Sequence, residues 1–320
     1  MAETLVILFV ALILDRLIGD PDWLWQRVPH PVVGFGKLIG RADTRFNDDT
    51  ASDAQREKFG FATIAVLMIG AIVAGTFVGD LLDALGSAGF VLEAVLVAVL
   101  LAQKSLADHV GAVARGLRAG GADGGRRAVS MIVGRDPDTL DEAGICRAAI
   151  ESLAENASDG VVAPAFWYAV FGLPGLLAYK VLNTADSMIG HKTERHRAFG
   201  RAAARLDDLA NWLPARLTAL LIVVAGGLDR WRDRVRTVMR DARLHRSPNA
   251  GWPESAMAAV TGLALGGPRV YRDDVADEPF MNDEGRKDTD PNDIDAALGV
   301  FWRAMTGLAV IVGALAVFSG

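Results

Sequence analysis

Uncharged stretches alternate with polar ones along this chain, and the alternation sets its elements. Phe61 to Val78 carries no charged residue and is long enough for a helix to cross a bilayer core. Ala88 to Ala102 follows with one acid, Glu93, and Gly299 to Phe318 forms the last apolar run. Thr4 to Ile18 is apolar through Leu14 and then meets Asp15-Arg16. It is short for a span, crosses only with its charged ends reaching for water, and lacks the basic start and A-x-A site of a signal peptide. Spans are therefore expected at about 4–18, 61–78, 88–102 and 299–318. Two further apolar segments, 161–179 and 213–228, are interrupted by Pro164 and Pro174 in the first and by Arg216 in the second.

The intervening segments are punctuated by Gly and Pro. Gly19 to Gly40 has too many of both for one long helix, and its Trp23 and Trp25 suit an interface belt. His30, between Pro29 and Pro31, is held extended and reads as a structural or ligand-facing histidine. Gly116 to Gly125 lacks the Lys-Ser/Thr ending of a phosphate loop and reads as a flexible turn. Ser130 onward reads as an extended run, a turn at Asp136-Pro137 and a helix from about Leu140. Ser247 to Ser255 is a loop leading into an Ala-rich helix, and Tyr271 to Asp295 is acidic and exposed. Asp290-Pro291, with Asp293 three residues after Asp290, starts the helix that becomes the last span. No fixed-period repeat is visible.

Composition agrees with this pattern. Apolar residues make up 51% and charged residues 22%, with a mean hydropathy of +0.26, which suits an all-α, polytopic membrane protein with large polar loops. A net charge of −6 gives no reason to expect nucleic acid. One cysteine, Cys146, excludes an internal disulfide and a Cys-rich zinc site. Asp80 to Ser87 has no Lys or Arg and is expected outside, whereas the basic segments before Phe61 and after Ala102 are expected inside. Arg and Lys crowd both sides of 161–179 and 213–228. Residues 103 to about 298 are thus expected to be largely cytoplasmic, with these two segments re-entrant, paired or buried; a pair of crossings that leaves Lys180 to Asn211 outside is the alternative.

Candidate chemistry concentrates between Glu151 and Pro214. Glu151, Glu155 and Asp159 are spaced i, i+4, i+8; Lys180, Asn183 and Asp186 recur at intervals of three; Asp207, Asp208 and Asn211 sit on another helix. Acid-plus-amide sets suit a hard cation that also holds phosphate oxygens. A single such cluster reads as a solvated helix face, but three around one apolar segment point to a site. His191-Lys192 and Arg195-His196-Arg197 are either anion binders or the basic residues that fix a loop's side. Ser247 and Asn249, with the amides around them, form an anion cradle or a plain helix start. No nucleophilic triad, HExxH or Walker sequence occurs.

The runs AAIESLAENASDGVVAPAFWYAVFGLPGLLAYKVLNTADSMIGHK, FGRAAARLDDLANWLPARLTALL and SPNAGWPESAMAAVTGLALGGPRVY, with the early DRLIGDPDWLWQRVPHPVVGFGKLI, resemble the CobD/CbiB family of adenosylcobinamide-phosphate synthases. Ala185 stands where the family usually has Leu, and His191 where an aromatic is common. The resemblance covers nearly the whole chain and implies a single membrane-embedded domain over 1–320, multi-pass in the inner membrane with its active site facing the cytoplasm. It implies amide formation between (R)-1-amino-2-propanol, or its phosphate, and the free propionate of adenosylcobyric acid, with ATP as co-substrate and Mg²⁺ as metal. Membrane lipid surrounds such a protein, and association with other cobalamin-pathway enzymes or with copies of itself is left open.

That chemistry suggests roles. Glu151, Glu155, Asp186, Asp207 and Asp208 are expected to hold Mg²⁺, and Asn156, Asn183, Asn211, Ser247 and Asn249 to bind the nucleotide. Lys180, Lys192 and Arg243 are expected to neutralise phosphate or the developing oxyanion. Asp159 or Glu254 is expected to take the ammonium proton, and Trp167, Tyr168 and Trp212 to wall a corrinoid cleft. A Mg²⁺-dependent prenyl or phosphoryl transferase is the rival reading. A transporter is disfavoured because the acids lie between the spans.

Overall fold

The computed structural model describes all residues except 22–24, 28, 135, 192, 272–273 and 277, and the side chains of 269–277 are also undescribed. The described chain is mostly helical, with few strands, and divides into two compact units. The first comprises Met1–Ala102, Ala163–Asn211 and Val312–Gly320; the second comprises Gln103–Val162 and Trp212–Ile311.

The first unit contains α1 (Ala2–Leu17), α2 (Pro31–Phe46), α3 (Asp53–Asp83), α4 (Ser87–Leu100), α7 (Ala163–Ile189) and α8 (Arg201–Ala210). The α3–α7 contact is its most extensive packing. A Cβ on Gly75 would stand 2.6 Å from the Pro174 Cα, so only glycine permits this close crossing. Gly172 adopts φ +62°, ψ −153° and, with Pro174, breaks α7 in mid-course. Ile39, Ile64, Leu182, Ala185, Ile189 and Phe199 form a core shared by α2, α3, α7 and the turn before α8. Within the apolar interior the Tyr168 hydroxyl donates to Glu93 Oε1 at 2.7 Å, which gives the one acid of α4 a partner.

The second unit contains α5 (Gln103–Val129), α6 (Glu142–Ala157), α9 (Trp212–Ala225), α10 (Trp231–Asp241), α11 (Gly251–Thr261) and most of α12 (Pro291–Ser319). Ile145, Ile150, Leu153, Met257 and Phe301 are at most 1% exposed. The Asp141 carboxylate accepts the Gly144 N–H and starts α6. α6 runs into a π-helical turn, Ser158–Val162. Two short antiparallel pairs, β1 (Leu265–Gly266) with β4 (Phe280–Met281) and β2 (Arg269–Tyr271) with β3 (Asp274–Ala276), precede α12.

Four helical stretches are long and apolar enough to cross a membrane: Asp53–Asp83, Ser87–Val129, Glu142–Ile189 and Pro291–Ser319; a fifth counts if Arg201–Ala210 and Trp212–Ala225 form one bent span. The chain is thus an all-α multi-pass membrane protein. Two expectations need correction. α1 is shorter than a full span and is not among these stretches. Ser130 to Gly134 is a turn after α5, not an extended run, while the described side chains of 278–295 are mostly exposed or half-buried, as expected. The turn expected in Gly116–Gly125 is also present: α5 breaks at Gly120 and Gly121, whose backbone is non-helical. Trp23 lies outside the described residues.

Candidate functional site

Within the first unit, α7 and α8 bring one polar group together. Asp207 is 7% and Asn211 1% exposed. Asn211 Nδ2 donates to Asp207 Oδ2 at 2.9 Å, and the Tyr179 hydroxyl donates to Asn211 Oδ1 at 2.9 Å. Asn183 approaches the same carboxylate, and Asp186 and Asp208 are close enough for their charges to act on it. Asp207 Oδ1 is buried without a hydrogen bond of normal geometry. A buried carboxylate oxygen in that state is costly unless a cation or donor completes it. Lys180 is half-buried one position after Tyr179 and, with Asn183 and Asp186, follows the expected spacing along α7. Lys192 lies outside the described residues.

Tyr179 also lines an apolar cavity of about 410 Å³, together with Met68, Ile72, Trp167, Phe171 and Leu209. Trp167 therefore does wall a hollow. Tyr168 does not: it is fully buried on Glu93. Trp212 belongs to the second unit, half-exposed.

The basic turn before α8 is committed elsewhere. Arg195 pairs with Asp43 at 3.1 Å and Asp49 at 3.0 Å, and Arg197 with Asp53 at 3.2 Å. Buried Arg56 donates to the Arg195 carbonyl and to Asn47. Burial alone would raise the Asp43 carboxyl, but hydrogen bonds from Asn47 and Arg195 and the Arg195 charge hold it below the usual range. His30 is structural: its Nδ1 accepts the Val32 N–H that begins α2, and its Nε2 lies 3.1 Å from the Val99 carbonyl. His191 is exposed.

Within the second unit the other candidates lie on α6 and around the start of α11. Glu151 is 5% exposed, and its Oε1 accepts the Gly266 N–H at 2.7 Å, so it anchors β1. Glu155 and Asn156 are exposed, Asn156 donating to the Ser152 carbonyl, and Asp159 sits half-buried on the π turn. Ser247 Oγ accepts the N–H groups of Asn249 and Ala250, the geometry of a helix start. Glu254 is 2% exposed with His245 Nε2 at 3.7 Å. Arg243 is exposed and has no ion pair among the described residues.

Arg216 is the residue that pattern reading passed over. Its guanidinium lies between the Trp212 and Trp252 rings, 4.5 Å from each centroid, and donates to Asn249 Oδ1 at 3.2 Å. The available signal was its place as the one charge inside 213–228. Among the described residues no three His, Cys, Asp or Glu side chains converge as a metal cage. The α7–α8 group nevertheless fits Mg²⁺, which takes only one or two carboxylates when phosphates and water supply its other ligands.

The family described as CobD/Cbib protein matches residues 8–301. The chain belongs to the CobD/CbiB family. It is 58% identical to the cobalamin biosynthesis protein CobD of Sinorhizobium fredii (strain NBRC 101917 / NGR234) over 96% of this chain and 95% of that protein. Identity is 54% to the protein of that name in Brucella suis biovar 1 (strain 1330), over 99% of both chains. It is 46% to that of Rhodobacter capsulatus, over 96% of both. No solved structure matches. The CobD/CbiB match takes in both polar groups, the one on α7–α8 and the one on α6 and α11.

Proposed function

We propose that this chain is an enzyme of cobalamin biosynthesis that joins (R)-1-amino-2-propanol, or its phosphate, to the free propionate of adenosylcobyric acid. The near full-length match to the CobD/CbiB family, with relatives named for cobalamin biosynthesis, carries the reading. Carboxylate and ammonium give amide and water, an uphill reaction in water. ATP with Mg²⁺ supplies the activation of the carboxylate.

Asp207 and Asp186, supported by Asn183 and Asn211 and with the Asp208 charge beside them, are the residues we assign to Mg²⁺. The unmatched Asp207 oxygen favours this set. Lys180 neutralises phosphate or acyl oxygen charge from α7. On the second unit, Glu155 and Asn156 present exposed side chains, and Arg243 an exposed guanidinium, to anionic or metal-bound groups. Asp159 or Glu254 accepts the ammonium proton. Ser247 and Asn249 shape the α11 start, which Arg216 braces through Asn249. Glu151, also expected at the metal, has one oxygen committed to Gly266. Expression of the chain should restore corrinoid-dependent growth to a host blocked between cobyric acid and cobinamide. Growth on added cobinamide but not with this chain would refute the assignment.

A further inference from the structure

A surface outside the proposed chemistry lies on α2. Its inward side packs Ile39, 1% exposed, into the core with Leu182 and Ile189. Gly36 brings the backbone close to α7, where a Cβ would stand 3.4 Å from Met188 Sδ. The outward side carries Lys37, Arg41 and Arg45 at i, i+4 and i+8, so the three cations form one stripe. All are exposed, and none has a carboxylate partner among the described residues. Elsewhere in the same unit Arg195, Arg197 and Arg201 are each paired with an acid. With Gly40 and Thr44 the stripe lines an open hollow of about 570 Å³.

The level of this stripe is fixed by a ring contact. Phe46, at the end of α2, stacks on Phe59 of α3 with centroids 6.3 Å apart. At Phe59 the polar first turns of α3 give way to its outward apolar run, in which Phe61 and Val66 are 61% and 68% exposed. Lys58, immediately before it, is also exposed. The α2 end therefore sits where the span enters the bilayer. Exposed Val33 and Leu38 flank the cations, the combination of an interfacial helix. Acidic residues are missing from this outward side: the one acid of α2 is Asp43, which faces Arg195.

We propose that the outward face of α2 binds the phosphate headgroups of anionic phospholipid through Lys37, Arg41 and Arg45. A Lys or Arg near an anionic bilayer contributes about fivefold to association, so three together give roughly a hundredfold preference over zwitterionic lipid. The purified full-length chain, titrated in detergent with phosphatidylglycerol and phosphatidylcholine, should retain the anionic lipid preferentially by native mass spectrometry. K37Q/R41Q/R45Q should lose at least tenfold of that preference, whereas the charge-conserving K37R/R41K/R45K should keep it. In phosphatidylglycerol vesicles, a photo-crosslinker placed at Thr44 in the otherwise unaltered chain should capture lipid, which keeps the test open if the triple Gln variant misfolds. Inorganic phosphate at millimolar concentration should not abolish capture. Equal retention of the two lipids by the unaltered chain, no lipid crosslink at Thr44, or full displacement by inorganic phosphate would each overturn the proposal.

Discussion

Asp207 shows what separates a solvated acid face from a site. A carboxylate paired only with surface arginine contributes about 0–1 kcal/mol, and its amide replacement would leave activity nearly untouched. Asp207 is instead 7% exposed, held by Asn211 and left with one unmatched oxygen. Asp207→Asn and Asp208→Asn should therefore lower kcat/KM by about a hundredfold, in line with a loss of about 2.7 kcal/mol of transition-state stabilisation. Raised Mg²⁺ should partly restore Asp208→Asn. Near-normal turnover of both variants at limiting Mg²⁺ would remove the metal assignment and leave the family-level function standing. Asp43 gives a pH prediction. Its folded pKa is depressed despite burial, by Asn47 and Arg195, so its stabilisation is present above the ordinary carboxylate range and lost as pH falls through the depressed value. Asp43→Asn should flatten the loss of thermal stability on acidification; a slope like that of the unaltered chain would contradict this. The sequence exposed the acid clusters because their members are neighbours along a helix. It hid the Tyr179 and Arg216 partnerships because these join positions 32 and 33 residues apart.

Elements were legible where local chemistry fixes them. Pro291 opens α12, with Asp293 Oδ2 accepting the Asp290 N–H. The uncharged run 61–78 is the heart of α3. At 116–125 the glycines act in two ways: Gly121, at φ +56°, turns the chain where the helix breaks, and Gly116 and Gly124, where a Cβ would collide with the other's backbone, let the two arms meet. The same logic makes Gly75 critical. Gly75→Leu should drive a side chain into Pro174 and sharply lower thermal stability and membrane accumulation, whereas Gly79→Leu, with nothing within 4 Å, should be tolerated. Equal stability of the two variants would mean that the α3–α7 crossing is looser than described.

At the scale of the molecule, charge asymmetry predicts sidedness that packing does not reveal. The native Cys146 is buried and should stay silent to an impermeant thiol reagent. A cysteine introduced near Asp83 should label from outside, and ones near Gly121 and Asp241 should not; outside labelling at Gly121 would reverse the arrangement. Labelling near Glu194 would select the two-crossing alternative for 161–179. The resemblance visible in the sequence runs reached the same family as the whole-chain match, because those motifs are long and in order. The activity itself is tested most directly with the purified protein in lipid. Given adenosylcobyric acid, aminopropanol phosphate, ATP and Mg²⁺, it should release the cobinamide amide with one ATP consumed per bond. Amide formation at an undiminished rate without ATP would contradict the activation step, and no amide from a folded preparation that restores growth in the blocked host would contradict the account at its centre.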